Sequence, residues 1–415
     1  MVIILLIIIN KIYYRLADML AATYEIILGE DAMITHKQLA ITDRLVPILK
    51  KSTGQEVVST GEVKVQQIST GGGFNDGIFR YSGTATAKNG EVPWSIIVKV
   101  ISPNNPSLPA DKDDPASWGY WKREAALYNS DILADLPVGL SVPRLFEIEE
   151  HADGSVGLWM EEVQGDTSPW TPDIVRRAGK AAGYFNGQYL VGKKIPETPW
   201  LSHGWLRSAI AENEIWFAKL RENLSLPGVQ AFFPADIAEV VFHVWDQRHV
   251  YLDALDRLPQ TLCHMDYFVR NLVRRQGQAG EEFVAFDWAY TGIGAVGEEL
   301  TPLIVGSMSL VGIEMKYESA IEREAFAGYT AGLAEAGWQG DQDLVWAGYS
   351  LSGALRYPCG VLNVLLPNLL NPALDLNTVG PFGMTILEFA EHIRRVNRQF
   401  LIRLAREADR VAAGA

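Results

Sequence analysis

Taken as a pattern of apolar and polar positions, the chain changes character near residue 164. Before it, apolar residues alternate as in half-buried strands at 62–68, 78–86 and 94–101. One amphipathic helix is expected ahead of them over 35–51, with Leu39, Leu45, Val46 and Leu49 apolar and Asp43, Arg44, Lys50 and Lys51 polar. Residues 121–128 read as a short helix, and 142–148 with 156–163 as a hairpin turning at Asp153-Gly154. Beyond Gln164-Gly165 the pattern turns helical. Thr171-Pro172-Asp173 supplies an N-cap, a proline at the first helical position and an acid in the first turn, and the helix is expected to run to about Leu190. Its packing side carries Ala178, Ala181, Ala182 and Phe185, which allow a close helix approach. Helices over 205–223 and 234–256 carry Trp216, Phe217, Phe242 and Trp245, read as core, and 320–413 alternates helices with short breaks.

One stretch, 263–299, departs from this helical pattern. Leu272-Val273 and Phe283 to Phe286 read as two short strands joined by a polar hairpin, 274–282. Closing that hairpin brings Asn271 and Asp287 to one end, with Asp266 on the loop beside them. Two carboxylates and an amide oxygen then converge. Hard oxygen ligands of this kind suit Mg²⁺, which takes one or two carboxylates plus substrate phosphates. The carboxylate left over can accept a proton from a hydroxyl. A glycine-rich turn, 292–297, follows.

Upstream, Gly71-Gly72-Gly73 with Asn75 lies between two strands, where backbone N–H groups can face an anion. No Lys-Ser/Thr pair follows, so it is not a Walker A loop, and a strand follows rather than a helix, so it is not a Rossmann fingerprint. Lys99 sits inside the apolar strand 95–100. Either that strand is at an edge with Lys99 in solvent, or the strand is central and the ammonium needs a partner.

The stretch His264-Met265-Asp266, Asn271 and strand-end Asp287 resembles the aminoglycoside phosphotransferase-like small-molecule kinases, relatives of choline kinases and protein kinases. The resemblance covers roughly residues 60–300. It implies that Asp266 orients and deprotonates an acceptor hydroxyl, that Asn271 and Asp287 hold Mg²⁺ on the phosphates, and that His264 is structural. It further implies that Lys99 contacts the α/β-phosphates with Glu124 holding it, that Gly71, Gly72, Gly73 and Asn75 cover the phosphates, and that adenine bonds near Glu161 and Val163 at a lobe hinge. Met265 departs from the glycine usual there, and Arg270 is a second departure. The acids Glu298-Glu299 complement a helix N-terminus, or brace the metal loop as in the family. The fold implied is α+β and two-lobed: a small antiparallel β lobe with one helix, 34–163, and a large, mainly helical lobe, 164–415. The activity implied is ATP- and Mg²⁺-dependent transfer of the γ-phosphate to a small-molecule hydroxyl; the alternative is a nucleotide-binding pseudokinase with a regulatory role. An amino sugar, a macrolide, a choline-like amine, an amino alcohol and a sugar all remain open as acceptor. No Ala-Pro-Glu activation segment follows Asp287, which disfavours a protein kinase.

Composition narrows this a little. With 415 residues, 48% hydrophobic and 21% charged, the chain is an ordinary globular sequence. A net charge of −14 makes nucleic acid a poor partner and is compatible with a cationic substrate. Two cysteines, Cys263 and Cys359, argue against a disulfide framework and for a reducing cytoplasm. The apolar run 2–9 is far short of the ~20 residues that span a bilayer, and no clear membrane association is expected. It could be a helix start, a weak anchor, or part of an extension, 1–33, outside the core.

Overall fold

The computed structural model describes residues 41–69, 74–277, 280–360 and 362–414. The apolar run 2–9, the start of the first expected helix and Gly71, Gly72 and Gly73 lie outside the described residues. The described residues divide into two compact units: those up to 113 with 142–164, and 114–141 with the rest.

The first unit is a five-stranded antiparallel sheet with one helix. Helix α1 (Ile41–Thr53) precedes strands β1 (Val57–Ser69), β2 (Gly77–Ala87), β3 (Gly90–Ile101), β4 (Leu145–Glu150) and β5 (Val156–Glu161). Their order in the sheet is β1-β2-β3-β5-β4. The apolar face of α1 is Leu45, Ile48 and Leu49, fully buried against Ala85, Trp94, Ile96, Val98, Phe146 and Trp159. Burial of that face, rather than propensity, stabilises so short a helix. Its Lys51 ammonium donates to the Phe146 carbonyl at 3.0 Å, tying the helix end to β4. The β4–β5 hairpin turns where expected, with Gly154 at φ +82°.

In the second unit, helix α2 (Arg123–Tyr128) is followed by α3 (Pro172–Leu190), α4 (Trp205–Glu212), α5 (Glu214–Glu222), α6 (Pro227–Phe232) and α7 (Ala235–Arg257). Strands β6 (Gln260–Cys263), β7 (Leu272–Gly277), β8 (Gly280–Ala285) and β9 (Gly292–Ala295) come next. The chain ends with α8 (Glu318–Glu335), α9 (Gln342–Gly360), α10 (Leu362–Leu369), α11 (Ile386–Val396) and α12 (Ile402–Gly414). Thr171 caps α3 as expected, its hydroxyl accepting from the Ile174 N–H. Small residues then let α3 and α8 cross at backbone contact. A Cβ on Gly183 would lie 2.0 Å from the Tyr329 carbonyl oxygen, and one on Gly332 would lie 2.1 Å from that of Lys180. Phe217 and Trp245 are buried and stack at 3.9 Å, as core.

Three details differ from the pattern-based expectation. Residues 114–141, expected with the small lobe, group with the second unit: Leu140–Ser141 pairs in parallel with β8, and Arg123 is buried among second-unit carbonyls. The 292–297 stretch is mostly strand, not turn. Its β9 lies between β6 and Ser202–His203, and Gly292 is needed because a Cβ there would meet Ser202 backbone oxygen at 2.4 Å. Residues 302–306 form a π-helix rather than a regular helix. Among the described residues, no helix is long and apolar enough to cross a membrane.

Candidate active site

The β7–β8 hairpin does what its sequence pattern suggests. Leu272 pairs with Ala285 and Val273 with Val284. The ladder continues past the strand ends, with the Phe286 N–H donating to the Asn271 carbonyl at 2.8 Å. Asn271 and Asp287 therefore leave the hairpin at the same end. Asp287 has left-handed backbone angles, φ +59° and ψ +64°, which turns the chain sharply there.

The loop from His264 to Asn271 is held from several sides. The His264 ring is fully buried against Trp288, centroids 4.3 Å apart. Its Nδ1 accepts from the Asp266 N–H at 3.2 Å, so Nε2 carries the proton and donates to the Phe286 carbonyl at 2.8 Å. Burial pushes its pKa down to about 4, which keeps the ring neutral. Glu299 accepts from the Met265 N–H at 2.6 Å and from the His264 N–H at 3.3 Å. Burial raises this carboxyl to about 7, despite those bonds. Glu298 bonds the Ala295 N–H at 3.1 Å and is likewise raised by burial. Both acids thus bond backbone amides, and they stand directly before the helical stretch that begins at Leu300.

Met265, where a glycine was expected, has φ +69°. Its buried side chain reaches over Gly294, where a Cβ would be 2.3 Å from the Met265 Cε. The left-handed turn explains why glycine suits the position; burial of the thioether offsets the strain here.

Asp266 is the centre of the loop's contacts. The Asn271 Nδ2 donates to its carbonyl at 3.0 Å and to Oδ2 at 3.2 Å. Arg356, from α9, donates to Oδ1 at 2.8 Å and also to the Met265 carbonyl. The Asp266 side chain is 14% exposed. Burial raises its pKa to about 7; Arg356 opposes the rise, Asp287 adds to it, and Arg270 and Asn271 lower it. Asp266, Asn271 and Asp287 are thus brought together. With the Asn271 amino group spent on Asp266, its amide oxygen is the atom left for a cation. Among the described residues no group of three or more His, Cys, Asp or Glu could hold a metal ion, so a cation here would rely on Asn271, Asp287 and ligand or water oxygens.

The remaining expected positions are these. Lys99 is only 4% exposed and lies on the central strand β3, between Ile78 of β2 and Leu158 of β5. The solvent-facing edge position is thereby excluded. Asn75 lies just before β2, its carbonyl accepting from the Asn105 side chain at 3.0 Å. Glu161 ends β5, its amide bonded to the Arg144 carbonyl at 2.9 Å, and Val163 is buried just beyond it. These four belong to the first unit. Glu124 is buried in α2 of the second unit. Sequence reasoning missed Arg356. The only signal was one arginine within the apolar run 351–359, on a helix that otherwise reads as core.

Residues 113–342, more than half of the chain, match the model of the phosphotransferase enzyme family. A comparison with curated proteins gave no match. Among solved structures, choline kinase from Cryptosporidium parvum is similar with a TM-score of 0.52 at 11% identity, over 88% of this chain and 97% of that one. An amicoumacin kinase in complex with AMP-PNP and Ca²⁺ gives a TM-score of 0.49 at 17% identity, over 86% and 92%. A microcompartment-associated aminopropanol kinase gives 0.49 at 12%, over 88% and 98%. The likeness to choline kinase shows a shared kinase-like fold, and with the family match it leads to one conclusion: the chain belongs to the phosphotransferase enzyme family and is a small-molecule phosphotransferase.

Proposed function

We propose that this enzyme transfers the γ-phosphate of ATP, in the presence of Mg²⁺, to a hydroxyl group of a small molecule. The observation that supports this most is the meeting of Asp266, Asn271 and Asp287 at one end of the β7–β8 hairpin. The donor set fits the ion: a carboxylate and an amide oxygen, with no thiolate or imidazole offered. Asn271 and Asp287 would hold it, and when bound it would neutralise charge on the nucleotide phosphates. Lys99, buried in a central strand, is the cation assigned to the α/β-phosphates, with Glu124 as its acid. Gly71, Gly72, Gly73 and Asn75 are assigned to the phosphate cover, and Glu161 and Val163 to adenine.

Asp266 holds the acceptor hydroxyl and takes its proton as the oxygen bonds phosphorus and the nucleoside diphosphate leaves. Burial raises the proton affinity of this carboxyl, which favours the transfer of a proton to it. Phosphoryl transfer asks chiefly for positioning and electrostatic stabilisation, and this loop supplies the first. The acidic net charge favours a cationic acceptor, an amino sugar or a choline-like amine.

Thermal melting with and without Mg·ATP tests the reading. Ligand at ~100 times Kd should stabilise wild type by about 2.7 kcal/mol, and Asp287→Ala should shift much less. No shift with any nucleotide would remove the proposal's foundation. Binding without phosphorylation of any hydroxyl compound would favour a regulatory pseudokinase.

A further inference from the structure

Arg356 reaches the loop from α9, 90 positions beyond the aspartate that it meets. Its side chain is nearly buried, 7% exposed, and stands 4.6 Å from the Trp205 ring centroid and 5.8 Å from that of Tyr357. One guanidinium makes two contacts on adjacent residues: Nη2 donates to Asp266 Oδ1 at 2.8 Å, and Nη1 donates to the Met265 carbonyl. The second fixes the left-handed turn that the loop makes at Met265. The first, with Asn271 on Oδ2 at 3.2 Å, gives each carboxylate oxygen a donor from a different element. The carboxylate can then neither rotate nor retreat without losing a charge-assisted bond.

We propose that Arg356 is a positioning residue for phosphoryl transfer, acting on turnover through the Asp266 carboxylate. This rests on the reading of Asp266 as the group that takes the hydroxyl proton. A purely structural role explains less. A buried ion pair is a weak source of stability, since desolvation consumes most of the attraction. What this pair supplies is a fixed place for an oxygen that must come within hydrogen-bond reach of the hydroxyl, where an error of about 1 Å can cost about 100-fold in rate. The planar two-point fork also sets Arg356 apart from lysine, which offers a single point charge.

The test is a double-mutant cycle read as phosphate release from Mg·ATP, with water standing in for the acceptor hydroxyl. Arg356→Met is expected to lower kcat by about 100-fold, with KM for Mg·ATP within about twofold of wild type, because Arg356 itself touches none of the residues assigned to the nucleotide. Arg356→Lys should recover part of the loss. In an Asp266→Asn background, Arg356→Met should have no further effect, since the group that it positions is already gone. An equal fold-loss in both backgrounds overturns this inference alone. Wild-type turnover in Asp266→Asn overturns the reading of Asp266 as well. Where Arg356→Met does not fold, Arg356→Lys carries the same comparison. Crystal structures give a readout independent of turnover: in the Met variant the Asp266 carboxylate should move by about 1 Å or more while α9 stays in place. A carboxylate unmoved from its bond with Asn271 would overturn the proposal.

Discussion

At the scale of single residues, the loop is built from groups whose proton affinities the fold has moved away from their values in water. His264 is the plainest. Its pKa is pushed from an ordinary 6.5 down to about 4 by burial, so the unfolded chain binds more protons than the fold between those values. Its contribution favours folding above about 6.5 and is lost as pH falls through that window. Asp266 and Glu299, raised to about 7, act in the opposite direction over an overlapping range. The difference between wild type and His264→Gln therefore isolates the imidazole. From about pH 7.5 to about pH 5, wild type should lose more thermal stability than the variant; equal losses would contradict this account. Met265 gives a second prediction. Replacing it with glycine removes left-handed strain of about 1–2 kcal/mol but also a buried side chain whose loss costs about 2–5 kcal/mol. Met265→Gly should lower stability by roughly 1–3 kcal/mol in urea titrations, and a stabilised variant would show that the strain outweighs the packing of the thioether. The sequence made Asp266, Asn271 and Asp287 readable together because a hairpin with clear alternation joins two of them. Arg356 was not readable, because nothing local tells which way a lone arginine on an apolar helix points.

Among elements, the crossing of α3 and α8 does most to place the loop. Its small residues bring two backbones together, and from α3 the Asn186 side chain donates to the Leu262 carbonyl at 2.7 Å while Thr261 donates to the Asn186 carbonyl at 2.7 Å. Strand β6, which delivers His264, is thus fixed by a helix whose own position depends on glycine. Gly332→Val would put a Cβ 2.1 Å from the Lys180 carbonyl oxygen and 2.6 Å from the Tyr184 nitrogen, neither of which can yield. It should cost about 3 kcal/mol and lower turnover with it. Gly360→Ala, whose Cβ would meet only the Leu206 Cδ1 at 3.7 Å, is the matched control and should be near neutral in the same urea titration. The α3 N-cap and its small packing face were legible from capping chemistry and composition. The glycines of β9 were misread as a turn for the opposite reason: glycine marks close approach as readily as it marks reversal, and only the neighbour at Ser202 decides.

On the scale of the molecule, the change from strand to helical pattern near residue 164 correctly gave an antiparallel sheet unit and a helical unit. It did not reveal that 114–141 groups with the second, because that depends on contacts made far along the chain. The Arg123 guanidinium, fully buried, donates to the carbonyls of Ser117, Trp118, Trp200 and Ala289, and burial lowers its pKa to about 10. Hydrogen exchange should therefore find the α2 amides opening with β6 and β9 rather than with β2 and β3; exchange in step with the first unit would refute this. The same clamp bears on control of the enzyme. Glu124 follows Arg123 directly, and Ala289 lies two residues past Asp287. Swinging α2 outward with the segment that leads into it would break the two bonds to distant residues, Trp200 and Ala289, at about 1.5–3 kcal/mol each. That sum, about 3–6 kcal/mol, is a sizeable share of the stability of a whole domain, about 5–15 kcal/mol. Any state in which this helix is displaced must recover that energy from contacts made elsewhere.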